Sequence, residues 1–70
     1  MEKFIMKEPF ITIGQFLKVK GFISSGGEAK FFLCEQDVFI NGDKITQRGK
    51  KIYPHDLVSV NGMKYKMLYD

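Results

Sequence analysis

Basic side chains concentrate in one short stretch of this 70-residue chain. Residues 44 to 55 hold four cations and no carboxylate: Lys44, Arg48, Lys50 and Lys51. The segment 47–51 also lacks apolar residues, which predicts a solvated loop. Clustered cations repel one another unless an anion lies nearby, so the group indicates binding to a polyanion. For any single lysine, the alternative is an ordinary solvated surface residue.

A second candidate site is the run of small residues Ser24, Ser25, Gly26 and Gly27, which precedes a predicted helix. Unpaired backbone amides at a helix start bind phosphate well, and glycines let a ligand approach the backbone closely. The alternative is that Ser25 caps the helix and the glycines only shape the turn. Lys18 and Lys30, on the polar sides of the two predicted helices, are further candidates for phosphate contact.

The chemistry of catalysis or metal binding is not indicated. The eight carboxylates are scattered and match no catalytic motif. Cys34 and His55 are each alone of their kind, so one chain cannot assemble a Cys/His metal set or a Cys–His nucleophile pair. We therefore expect no enzyme activity, no cofactor and no metal site, and we expect His55 to be a turn residue with positive φ.

Two short helices are predicted to position the basic residues. Thr12 and Gln15 have the spacing of a capping box, and the first helix should end at Gly21. Ser25 and Glu28 repeat the capping box at the start of the second helix. The core faces of the two helices should be formed by Ile13, Phe16 and Leu17, and by Ala29, Phe32 and Leu33.

Phe31 lies on the other side of the second predicted helix. It could stack on an unpaired base. We favour the alternative, in which the terminal strands cover it.

The remaining elements are strands joined by tight turns. Val38 and Ile40 alternate ahead of Asn41-Gly42, a pair typical of type I′ hairpins, and a second such pair follows Val60 at Asn61-Gly62. Terminal strands are predicted at 2–7 and 63–68 and should pair with each other. The fold predicted is α+β, with two short helices packed on one face of a small, mainly antiparallel sheet of four or five strands.

This order of elements resembles the S4 RNA-binding domain, the αL motif named after a ribosomal small-subunit protein. The most specific pieces are SSGGEAKFFL, VFING and YPHDLVSV, and the resemblance covers residues 13–60. Within the family, the short chain, the double glycine and the RGKK run are similar to small stand-alone bacterial members of the YaaA-like type. The family commonly carries an arginine directly after the serine, where this chain has Gly26.

The resemblance implies a single RNA-binding domain over 1–70, built on a motif core of 13–60 with the terminal strands added. It implies a non-catalytic, ribosome-associated role, with structured RNA, ribosomal RNA or a ribosomal particle as partner. The alternative function, of a different class, is a protein–protein interaction module that uses the edge strand and the C-terminal strand. The lone cysteine and the absence of any long apolar run favour a cytoplasmic protein without membrane association. We also expect a monomer.

Overall fold

The computed structural model describes all 70 residues as ten short elements. The helices are α1 (Ile13–Val19) and α2 (Ala29–Glu35), and a 3₁₀ turn at Gly26–Glu28 leads into α2. Neither helix is long enough or apolar enough to cross a bilayer. The strands are β1 (Glu2–Met6), β2 (Ile11–Thr12), β3 (Val38–Ile40), β4 (Asp43–Lys44), β5 (Lys51–Ile52), β6 (Leu57–Val60) and β7 (Met63–Tyr69).

The main sheet has five strands in the order β1-β7-β6-β3-β4. The three pairs from β7 to β4 are antiparallel, and β1 runs parallel to β7 in the register Glu2↔Tyr65 to Met6↔Tyr69. Strands β2 and β5 form a separate antiparallel pair. The predicted α+β class and the pairing of the two terminal strands are therefore confirmed.

Both Asn-Gly pairs form the predicted hairpin turns. Asn41 and Gly42 have φ of 51° and 86°, and Asn61 and Gly62 have φ of 50° and 86°. These are the two consecutive positive values that a type I′ turn requires. His55 also has a positive φ, 75°, as the sequence predicted.

The two helices begin differently. Thr12 accepts a hydrogen bond from the Gln15 amide (3.2 Å), and the Gln15 side chain accepts one from the Thr12 amide (3.0 Å), which completes the capping box. The box of Ser25 and Glu28 is also present, but it opens the 3₁₀ turn rather than an α-helix. The regular helix therefore starts at Ala29, four residues later than its capping serine.

One face of the sheet and both helices enclose the core. All fifteen buried residues are hydrophobic, and Phe16 makes edge-to-face contacts with Phe4 and Tyr65, with ring centroids 5.1 and 5.3 Å apart. Ala29 and Leu33 are buried as predicted, but Phe31 is 70% exposed. The expectation that the terminal strands cover Phe31 is wrong, because they pair with each other within the sheet and leave this side chain exposed.

Candidate functional site

The predicted basic loop is bound to the first turn of α1 through its backbone. The amides of Ile13 and Gly14 donate to the carbonyls of Lys50 and Arg48, each at 2.9 Å. Helix-start amides have no partner within the helix, so the loop supplies acceptors that the helix needs. Gly14 lies directly against the loop, since a Cβ there would be in van der Waals contact with the Arg48 carbonyl oxygen, at 3.4 Å. The loop is exposed, yet its backbone is held at two points.

Arg48 also fixes the loop to the start of the second helix. Its Nη1 donates to the Gly26 carbonyl oxygen at 3.0 Å, so two residues predicted separately as contacts lie side by side. The guanidinium thus lies beside Gly26, the residue that follows Ser25. A guanidinium has five N–H donors, so most of its hydrogen-bonding capacity remains for a ligand.

The amides that precede the 3₁₀ turn are engaged by Glu28. Its carboxylate accepts hydrogen bonds from the amides of Ser24 (2.9 Å) and Ser25 (3.0 Å) and from both hydroxyls. The Ser24 hydroxyl and then its amide are the main causes that lower the pKa of Glu28 below the usual glutamate value. The sequence predicted only the Ser25 part of this arrangement. Ser24 and Ser25 thus use these groups to order their own turn.

Two grooves flank the loop. The first, which we call the helix-side groove, lies between the loop and the start of α2 and contains two cations and neither a carboxylate nor a hydrophobic residue. It is lined by Gly27, Lys30, Thr46, Gln47, Arg48 and Gly49.

The second groove, the strand-side groove, lies on the other flank of the loop. It brings together Lys44, Lys50 and Lys51, but Asp43 and Asp56 also line it. Lys44 is partly neutralised, because its Nζ lies 3.2 Å from Asp37 Oδ1 and 3.3 Å from the Gln36 carbonyl oxygen. The helix-side groove is therefore the more cationic of the two surfaces.

Lys18 is exposed on α1 and lines neither groove. Gly26 is close to the helix-side groove through its hydrogen bond with Arg48.

Sequence reasoning missed an aromatic pair beside the loop. The rings of Phe10 and Tyr53 lie 6.1 Å apart, and Lys51 Nζ lies 4.7 Å from the Phe10 ring centroid. Lys51 and Tyr53 alternate along the chain, which hinted at a shared side, but nothing in the spacing placed Phe10 there. It also missed the backbone contact of Gly14 with a loop more than thirty residues away.

The site's side chains suit anion binding. Guanidinium and ammonium groups donate charge-assisted hydrogen bonds to phosphate or carboxylate oxygens. No three His, Cys, Asp or Glu side chains come together in a way that could hold a metal ion. The helix-side groove brings two cations together, and one of them, Arg48, is held by its hydrogen bond to Gly26.

Comparisons with known proteins agree with this architecture. A family model described as the S4 domain matches residues 4–68. The chain is 48% identical over 52 residues to the "Probable ribosome maturation protein RlbA" of Bacillus subtilis (strain 168), an alignment that covers 74% of this chain and 73% of the relative. No solved structure shows a significant match. The extent of the family match shows that this chain belongs to the S4 domain family.

Proposed function

We propose that this protein is a non-catalytic RNA-binding protein whose helix-side groove and basic loop contact the phosphate backbone of structured RNA. Its target would be ribosomal RNA or a ribosomal particle in the cytoplasm, bound by a monomer. Membership of the S4 domain family supports RNA binding, and the name of the Bacillus relative supports a connection with ribosome maturation.

The observation that carries the proposal is that the helix-side groove is lined by Lys30 and Arg48 but by no carboxylate and no hydrophobic side chain. Double-stranded RNA is recognised mainly by its shape and its backbone, so a few cations on a rigid frame are sufficient. The hydrogen bonds of the loop to α1 provide that frame. A loop held in place loses less conformational entropy when it binds.

The predicted residues take different roles in this proposal. Lys30, Arg48, Lys50 and Lys51 contact phosphates directly, and Lys18 and Lys44 add charge at the periphery. Ser24 and Ser25 position the turn, since their amides already donate to Glu28. Gly26 and Gly27 allow the RNA backbone to come close.

Salt-titrated binding to ribosomal RNA fragments tests the proposal. Three to five phosphate contacts should give a log–log slope of about −3 to −4. The triple substitution Arg48→Gln, Lys50→Gln and Lys51→Gln should weaken binding to all sequences alike and reduce the slope by roughly one for each lost contact. Binding that does not respond to salt would contradict the proposal.

A second candidate is a protein-interaction module, and one observation favours it. Strand β1 is an edge of the sheet. Ile5 in β1 and Tyr69 in the neighbouring strand β7 are 47% and 52% exposed. An edge strand can pair with a strand of another protein. Co-sedimentation with ribosomal particles that survives the loop triple substitution, together with weak binding to free RNA, would support this candidate instead.

A further inference from the structure

The sheet face opposite the helices, here called the outer face, is rich in lysine. Tyr65 and Met67 of β7 point into the core, so Lys64, Lys66 and Leu68 alternate onto the outer face. The register places Lys3 of β1 directly beside Lys66. None of these three lysines was among the residues that the sequence singled out.

Lys3, Lys64 and Lys66 form a cluster without a compensating carboxylate. Lys64 and Lys66 are two residues apart on one strand, which separates them by about 7 Å. The molecule's ion pairs are Lys20 with Glu2 and Lys44 with Asp37, and they involve none of the cluster. Lys66 donates only to a backbone carbonyl, that of His55, at 3.2 Å.

Like charges on neighbouring strands destabilise a sheet. The other outer-face positions next to the cluster, Ile5, Leu57, Ser59 and Leu68, bring no negative charge. The fold therefore places three repelling cations on two adjacent strands. A bound polyanion would remove the repulsion.

We infer that the lysine cluster on the outer face binds the phosphate backbone of a second segment of nucleic acid. The inference rests on the proposed function for the nature of the ligand, but it concerns a different surface. Lysines bind phosphates as flexible point charges. Three of them on an open, flat face suit an extended phosphate backbone better than a small anion, which would be bound in a pocket. Because the helix-side groove and the outer face lie on different sides of the sheet, the protein bridges two RNA segments.

Two matched triple variants separate this inference from the proposed function. Lys3→Gln, Lys64→Gln and Lys66→Gln lowers the net charge from +3 to 0, as does the loop triple of Arg48, Lys50 and Lys51. The outer-face triple should weaken binding to a long structured ribosomal RNA fragment by about tenfold or more and reduce the salt slope by roughly two to three. Arginine at the same three positions should restore both values.

Folding controls accompany these measurements. Removal of the repulsion should leave the thermal midpoint of the outer-face triple unchanged or raise it. The double variant Lys3→Gln, Lys64→Gln keeps the Lys66 hydrogen bond and should still show a reduced slope, so loss of that bond cannot produce the result.

Bridging is tested with a bead-bound RNA duplex and a second, fluorescent duplex. Wild-type protein should retain the second duplex on the beads, and each triple variant should release it. If the outer-face triple keeps wild-type RNA affinity and wild-type bridging, the inference is overturned. If the loop triple loses both in the same assays, the proposed function still stands. Unchanged RNA affinity with lost co-sedimentation would assign the outer face to a protein partner and would also overturn the inference.

Discussion

Arg48 donates a hydrogen bond of 3.0 Å to the carbonyl oxygen of Gly26, a residue 22 positions earlier in the chain. The contact joins the basic loop to the turn before α2, while the Arg48 carbonyl accepts from Gly14 of α1. One residue therefore links both helix starts. Its side chain serves the fold as well as the proposed RNA contact.

The first prediction tests whether the Arg48 side chain contributes to stability, in comparison with Lys50 of the same loop. Arg48→Ala should lower the free energy of unfolding by about 0.5–1.5 kcal/mol, because the hydrogen bond to Gly26 is lost. Lys50→Ala should change it by less than about 0.5 kcal/mol, because its exposed side chain has no such partner. Urea denaturation measures both, and equal effects would mean that the Arg48 contact does not contribute to stability.

The second prediction compares a cap with a core residue. Ser25→Ala should cost about 1 kcal/mol through the weakened capping box. Leu33 is 1% exposed. Leu33→Ala should lower the free energy of unfolding by about 2–5 kcal/mol, because the substitution leaves a cavity in the core. If the denaturation midpoints ranked in the opposite order, the assigned core face of α2 would be wrong.

The third prediction concerns acid. The hydrogen bonds from Ser24 and Ser25 lower the pKa of Glu28 in the folded protein. The stability that the ionised carboxylate contributes is therefore fully present above the unfolded-state pKa of about 4.3. It is lost as the pH falls through the lower, folded-state pKa. Glu28→Gln should remove this part of the pH dependence. The free energy of unfolding of the wild type and of Glu28→Gln should be measured at several pH values below 5. If it fell with pH in the same way for both proteins, Glu28 would not be the source of the pH dependence.

The fourth prediction distinguishes two adjacent aromatic residues. Phe31 is 70% exposed, and its replacement by Ala should change stability by less than about 0.5 kcal/mol. Phe32 packs against the core and lies 5.7 Å from the Phe22 ring, so Phe32→Ala should cost more than about 1 kcal/mol. Thermal unfolding of the two variants gives the comparison, and similar losses would show that Phe31 is covered in solution.

The fifth prediction tests a hairpin turn. Gly42 has a φ of 86°, so Gly42→Ala should cost about 1–2 kcal/mol because a side chain is strained in the left-handed region. Gly49 has no such φ and nothing within 4 Å of an added Cβ, which makes Gly49→Ala the control. Calorimetry should find a lowered midpoint for the first variant only.

Sequence reasoning succeeded where structure is decided by neighbours in the chain. The pairs Asn41-Gly42 and Asn61-Gly62 specify their turns through positive φ alone, and the Thr12–Gln15 box is complete within four residues. The identification of the family followed from such local pieces in their order.

The contacts that escaped prediction join distant parts of the chain. No periodicity in the sequence relates Arg48 to Gly26 or Phe10 to Tyr53, because each pair depends on how the layers pack. The outer-face lysines escaped for the same reason. Lys3 and Lys66 become neighbours only through the parallel register of β1 and β7.

That parallel register also determines when the sheet can be completed. Strand β1 has β7 as its only partner, and Glu2 pairs with Tyr65. Strand β1 therefore remains unpaired in the sheet until β7 is in place. Contacts between residues so far apart in sequence slow folding, because the intervening chain must be ordered before the contacts form. Phe4 and Ile5 therefore lie in a strand whose backbone pairing is completed only when these two distant parts of the chain meet.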